Sequence, residues 1–190
     1  MNQYKCLKNQ RFELDEFSLV PISRDEIQKI RVWRNEQMTI LRQNGYITEE
    51  MQQAYYESQI VPNFDNNQPK QVLFSYFKKE EFIGYGGLVH FSWFDKRAEI
   101  SFLLNTKFIN DTKLHDLYFE KYLYLIQEIA FADLNLNRLH TEVYDTRQHH
   151  VDVLEKCGFV LEGRLRKHIR IEDKMVDSLL HGKLNSEYKK

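Results

Sequence analysis

The hydrophobic period of this chain switches from helix to strand, back to helix and back to strand, which leaves few folds open. Residues 71–77 (QVLFSYF), 81–91 (EFIGYGGLVHF) and 97–104 (RAEISFLL) are strand-like runs separated by charged turns, Lys78-Lys79-Glu80 and Asp95-Lys96. Connections this short predict an antiparallel meander. Residues 113–133 return to helical spacing, with Leu114, Leu117, Tyr118, Tyr122, Leu125, Ile126, Ile129 and Ala130 at steps of three and four. Residues 138–144 (RLHTEVY) alternate strictly again. The long helix between them requires the strands at 97–104 and 138–144 to lie parallel.

The rest of the chain fits around this frame. Residues 1–16 read as a polar segment, loose or at an edge, and residues 17–22 as a first strand. Ser23 and Glu26 have capping-box spacing, so a helix is expected from near Arg24, with Ile27, Ile30 and Trp33 on its apolar face. Thr48 caps a second helix with Met51, Ala54, Tyr55 and Ile60 inward, ended by Pro62. Residues 63–70 are a loop. Gly84, Gly86 and Gly87 mark a bulge or a close backbone approach. Asn110-Asp111-Thr112 supplies the cap of the long helix. Residues 149–157 form a short helix stopped by Gly158, and a last hairpin turns at Glu172-Asp173-Lys174. The order β-α-α-β-β-β-α-β-α-β-β describes one α+β domain over residues 17–190, behind the segment 1–16.

Composition excludes other classes. A hydrophobic fraction of 42% with 14% aromatics is enough to bury a core. Lys+Arg 27 against Asp+Glu 28 leaves a net charge of -1, unlike a nucleic-acid binder working by bulk charge. Cys6 and Cys157 are the only cysteines, too few for a disulfide framework and consistent with a reducing, cytoplasmic setting. The polar N-terminus is no signal peptide, and no apolar run approaches the roughly 20 residues of a membrane span. No nucleic-acid or membrane partner is expected, and a homodimer is compatible with the chain.

Residues 153–163 (VLEKCGFVLEG), Arg164-Leu165-Arg166, residues 176–182 (VDSLLHG) and the tripeptide Trp33-Arg34-Asn35 carry a resemblance. Together with the element order they resemble the GNAT superfamily of acyl-CoA N-acyltransferases. The likeness is greatest to the branch of ribosomal-protein N-terminal acetyltransferases and amino-sugar acetyltransferases. It runs from about residue 17 to residue 184. The resemblance implies a three-layer α/β/α fold whose mixed, mostly antiparallel sheet has two splayed central strands. The pantetheine arm of acetyl-CoA would enter between them and pair with the backbone of residues 97–105, at Phe102, Leu103 and Leu104.

The sequence departs from that family where the cofactor's diphosphate sits. Relatives use a glycine-rich loop before the crossover helix, because small residues let backbone amides and a helix N-terminus reach the phosphates. This chain has no glycine between Gly87 and Gly158. Counted forward from the strand, the loop positions hold Ile109, Thr112 and Leu114; counted back from Ala130-Phe131, they hold Leu114, Leu117 and Phe119. Asp111 adds a negative charge that Lys107, Lys113 and His115 can offset, with the amides at Lys113 and Leu114. The family's cofactor-contacting Asn is Arg147 here, which also binds phosphate. Its Ser proton donor is His150, and its Tyr proton donor is Leu154.

Amine acetylation needs a neutral amine, a donor to the thioester carbonyl and a proton for the departing thiolate. Glu99, one position off the apolar face Ala98, Ile100, Phe102 and Leu104, is the candidate base; a simple ion pair with a neighbouring strand is its bland counterpart. His150 is the candidate beside the cofactor sulfur. His149, His150 and Cys157 lack metal-ligand spacing, so no metal is expected. Trp33, Arg34, Asn35 and Tyr85 are the candidate acceptor residues, with Arg42 and His90 weaker ones. His140 reads as a hydrogen-bonded sheet residue, and Arg164, Arg166 and His181 as a cationic rim or a solvated edge. The expected function is acetyl-CoA-dependent N-acetylation of a primary amine on a small acceptor. A nucleotide-linked amino sugar comes first and a protein N-terminus second. The alternative is a GNAT-fold binding module with weak or no catalysis.

Overall fold

Strict alternation becomes an eight-stranded sheet of order β1-β2-β3-β4-β5-β6-β8-β7 in the computed structural model, which describes residues 2–41, 43 and 45–189. Its strands are β1 (Phe12–Leu14), β2 (Phe17–Pro21), β3 (Val72–Lys78), β4 (Glu81–Ser92), β5 (Arg97–Leu104), β6 (Arg138–Tyr144), β7 (Val160–Ile171) and β8 (Lys174–Leu184). Among the described residues only the β5–β6 pair is parallel. It is joined by α3 (Thr112–Gln127), which runs on into a wider-wound turn over Glu128–Asp133. Helices α1 (Ile27–Glu36) and α2 (Glu49–Tyr55) pack together, as do α3 and α4 (Gln148–Lys156), giving the expected mixed, mostly antiparallel α+β fold.

The N-terminal residues are tied into the core. Tyr4 is fully buried; its hydroxyl accepts from the Leu73 amide at 2.8 Å and donates to the Leu73 carbonyl at 3.2 Å. Burying an aromatic ring of this size contributes roughly 2–3 kcal/mol. The Asp133 carboxylate accepts from the amides of Lys8 (2.9 Å) and Asn9 (3.1 Å), and β1 forms the sheet's outer edge on β2.

Three local expectations need correction. The first helix starts at Ile27, past Arg24, because the Glu26 carboxylate is taken by the Ser23 amide (2.9 Å), the Ser23 hydroxyl (2.7 Å) and the Ser75 hydroxyl (3.0 Å), which holds residues 24–26 in a turn. Thr48 caps α2 as expected, at 3.2 Å from the Met51 amide. Its buried side is Gln52, Tyr56 and Ile60, at steps of four, whereas Met51 and Tyr55 are exposed: the face lies one residue on, with the polar Gln52 turned inward. Leu117 of α3 is also exposed, and Phe119 and Leu123 take the core positions.

The middle strand's glycines reflect close approach. A Cβ on Gly86 would lie 2.2 Å from the Ser101 carbonyl and 2.4 Å from the Tyr122 hydroxyl, so only hydrogen fits between β4, β5 and α3. Gly158, at φ +83°, ends α4, and the buried Lys183 ammonium donates to the Cys157 carbonyl and to Gln127 Oε1, each at 2.6 Å.

Candidate active site

The two central strands separate. Their parallel ladder covers Arg97↔Arg138, Ala98↔Leu139 and Glu99↔His140 and then ends. Beyond it β5 stays on β4 through Leu104, and β6 stays on β8 through Tyr144. The closed end is pinned by the amides of Asn137 and Arg138, both donating to the Lys96 carbonyl at 2.7 and 3.2 Å. On the α3 side the wedge is lined with aromatics. The ring of Phe102 lies 4.7 Å from Phe119 and 4.6 Å from Tyr122, and His150 stacks on Phe119 at 3.8 Å.

Backbone direction follows from the same bonds. The Asn105 amide donates to the Ile83 carbonyl at 2.8 Å, so odd-numbered residues of β5 bond to β4. Even-numbered residues point toward β6, as the Lys96 carbonyl does. Past Glu99 no β6 residue is opposite, so the main chain of Ile100 and Phe102 borders the opening. Leu103 turns its backbone to β4. The Leu104 carbonyl faces the open side and is taken by Gln37 Nε2 at 2.8 Å.

The opening is a cleft of about 700 Å³. Phe102, Phe119, Thr141, Arg147 and His150 line it, with Leu154. Glu99, His90, Glu142, Tyr144, Arg34 and Lys70 line it too. Glu99 is paired with His90, whose Nδ1 lies 2.8 Å from Glu99 Oε2; the Glu99 side chain is only 13% exposed and that of His90 is 67% exposed. The pair therefore runs from the cleft to solvent.

A cationic and imidazole cluster lies where α3 meets α4. Arg147 Nη2 donates to His115 Nε2 at 3.1 Å, so His115 carries its proton on Nδ1 and donates to Asp116 Oδ1 at 3.3 Å. His149 Nδ1 lies 2.6 Å from the same carboxylate oxygen. Burial, then Arg147, pushes His115 down to about 4. Burial, then Arg147, also holds His150 well below the usual imidazole range, so both rings are neutral at neutral pH. His115, Asp116 and His149 present ligand atoms within 4.8 Å of one another. With Nε2 accepting from Arg147 and Nδ1 protonated, His115 has no lone pair left for a metal.

The α3 N-terminus is closed by the chain itself. Asp111 Oδ1 accepts from the Leu114 amide at 3.0 Å, and the Asp111 carbonyl accepts from His115 at 2.8 Å. Thr112 and Lys113 are exposed in the first turn, Leu114 is half-buried, and Lys107 pairs with Glu81 and lies over the Phe108 ring. Of the cofactor-side residues expected from sequence, Phe102 and Arg147 line the cleft. His115 sits behind Arg147, and Leu103 and Leu104 have buried side chains.

On the acceptor side Arg34 reaches the cleft, Tyr85 and, through Gln43, Asn35 support it, and Trp33 belongs to the core. Trp33 is buried against Phe82 at 4.8 Å. Asn35 bonds the backbone of Ile47 and the Gln43 amide, and the Tyr85 hydroxyl accepts from Arg34 at 2.8 Å. Arg42 lies outside the described residues. His140 is a sheet residue as expected, opposite Glu99 and Gly182, but its buried Nδ1 has no hydrogen-bond partner among the described residues. Of the expected rim, Arg164 pairs with Asp145 and Asp177 and His181 is fully buried, whereas Arg166 is exposed on the edge strand β7, which fits the solvated-edge reading. Tyr144, Glu142 and Lys70 were not legible as site residues. The alternation of 138–144 placed the first two on one face, but only the divergence of β6 from β5 puts them at an opening.

Comparison with known proteins agrees with this geometry. The family model described as Acetyltransferase (GNAT) domain matches residues 19–180. The structure of spermidine N-acetyltransferase from Vibrio cholerae in complex with CoA and spermine is similar at 19% identity and TM-score 0.77, over 90% of this chain and 97% of that one. A dodecameric structure of the Vibrio cholerae enzyme in an intermediate state is similar at 19% identity and TM-score 0.73, over 91% of this chain and 96% of that one. Identities this low establish a shared fold. No helix among the described residues is long and apolar enough to cross a membrane.

Proposed function

The chain belongs to the GNAT acetyltransferase family, and from that membership we propose that it transfers the acetyl group of acetyl-CoA to a primary amine of a small acceptor. The observation that carries this reading is the parallel ladder that stops at Glu99↔His140 and leaves the backbone of Ile100 and Phe102 bordering a 700 Å³ cleft. Those main-chain groups fit the amides of a pantetheine arm. Arg147, bonded to a neutral imidazole, fits a phosphate better than any group at the Asp111-capped end of α3. Acetyl-CoA, when bound, supplies the thioester carbonyl and the thiolate leaving group.

Glu99 accepts the amine proton, directly or through water, and His90 orients it and leads toward solvent. A neutral His150 can donate a hydrogen bond but is a poor proton source. Tyr144 is therefore a second candidate to protonate the sulfur. The spermidine enzymes named above favour a small amine as acceptor. Of the rim invoked for a nucleotide-linked amino sugar, Arg164 is already paired with Asp145 and Asp177 and His181 is buried, which weakens that choice. A homodimer remains part of the proposal, and sedimentation measures it.

The test is calorimetric titration of acetyl-CoA, followed by thiol release with a panel of primary amines. Sub-millimolar binding with amine-dependent thiol release is the expected result. Binding without release from any amine supports the alternative, a binding module. No binding at millimolar acetyl-CoA contradicts both.

A further inference from the structure

Arg34 is a half-buried guanidinium at the cleft whose partners among the described residues are neutral. Nε donates to Gln43 Oε1 at 3.1 Å and Nη1 to the Tyr85 hydroxyl at 2.8 Å. No carboxylate among the described residues pairs with it, and its Nη2 has no partner among them. The group is held in place from behind, since Gln43 is itself fixed by Asn35 Oδ1 at 3.0 Å and the Gly45 carbonyl at 2.9 Å. Withdrawing a cation from water without a counter-ion is costly, and an ordered fork of unused N–H donors matches a carboxylate or phosphate. Lys70 brings a second cation to the same cleft, from the loop before β3. Against these stand two acids of the cleft, Glu99, held by His90, and Glu142. Arg147, a third cation lining the cleft among the described residues, comes from the start of α4 and has His115 as its partner.

We propose that the acceptor is a primary amine that also carries an anionic group, a carboxylate or a phosphate: Arg34, with Lys70, binds the anion while Glu99 takes the amine. This rests on the transferase reading of the cleft. It separates the chain from an enzyme for polyamines, whose further ammonium groups would meet Arg34 with like charge.

Matched pairs test it: 4-aminobutyrate against 4-aminobutan-1-ol, phosphoethanolamine against ethanolamine, and spermidine as the polycation. The anionic member of at least one pair should exceed its neutral partner about ten-fold or more in kcat/KM, and should exceed spermidine. Which pair shows it tells carboxylate from phosphate. Arg34→Gln should remove the preference by raising KM for the anionic amine far more than for its neutral partner, with acetyl-CoA affinity unchanged, and Arg34→Lys should restore part of it. Equal or better use of the neutral amines or of spermidine overturns the proposal. So does a loss of acetyl-CoA affinity in Arg34→Gln, which would assign Arg34 to the donor. Calorimetry of the same pairs into the protein, with and without CoA, reads the anion subsite even if no amine is acetylated. That outcome would sink the transferase reading, whereas equal binding of both members of each pair would sink this one.

Discussion

At the residue scale the account turns on two groups. Glu99 is largely withdrawn from solvent yet tethered to an exposed His90, which suits a base that must shed its proton after each turnover. Glu99→Gln should lower kcat on the order of 100-fold or more while leaving acetyl-CoA affinity unchanged. Calorimetry and steady-state rates on one preparation check it, and unchanged turnover removes Glu99 from the mechanism. His115 makes a different prediction, about pH. Buried beside Arg147, it stays neutral to about pH 4, whereas in the unfolded chain it takes up a proton near pH 6.5. The unfolded state therefore binds the extra proton between those values, so stability is full above about pH 6.5 and falls as the pH drops toward 4. Urea titrations should show about 2 kcal/mol lost through this group between pH 7 and pH 5. His115→Gln should flatten the profile by that amount, and an unaltered slope would contradict the assignment.

At the element scale the start of α3 decides how the donor is held. Asp111 stabilises the helix by capping Leu114, and in doing so puts a carboxylate where relatives keep glycine amides free for phosphate. Asp111→Ala should cost roughly 1 kcal/mol of stability and raise acetyl-CoA affinity several-fold. Thermal melts and calorimetry measure the two, and weaker binding would show Asp111 aiding the donor. Gly86 is the counterpart in the sheet. Gly86→Ala drives a methyl into the Ser101 carbonyl and Tyr122 hydroxyl and should destabilise by about 3 kcal/mol or more. A variant as stable as the parent would refute the close packing of β4 on β5. These elements also show what the sequence makes legible. The meander, the crossover helix and the Asp111 cap are local patterns of period, turn and cap, readable one segment at a time. The face of α2 was misread because a polar residue, Gln52, takes the inward position beside the apolar Met51, and the start of α1 because Ser75, far along the chain, helps hold Glu26. Of the site, Glu99, Arg34 and Arg147 could be named from their positions, whereas Tyr144 and Lys70 depend on how far β5 and β6 stay paired, which is a tertiary fact.

At the scale of the whole molecule, the sheet is continuous except at one seam, and every group assigned a role borders that seam or supports a residue that does. The parallel pair holds at Arg97–Glu99, opens beyond it, and places Glu99 and Glu142 with Arg34, Lys70 and Arg147 on the walls of one cleft. The central claim is that this seam receives the arm of acetyl-CoA without a glycine-rich loop. A crystal structure of the full chain with CoA tests it most directly. The account predicts pantetheine amides paired with the main chain of Ile100 and Phe102 between β5 and β6, with Arg147 on a phosphate. CoA bound elsewhere, or a seam closed by Phe102, Tyr144 and His150 with no passage for the arm, would contradict it.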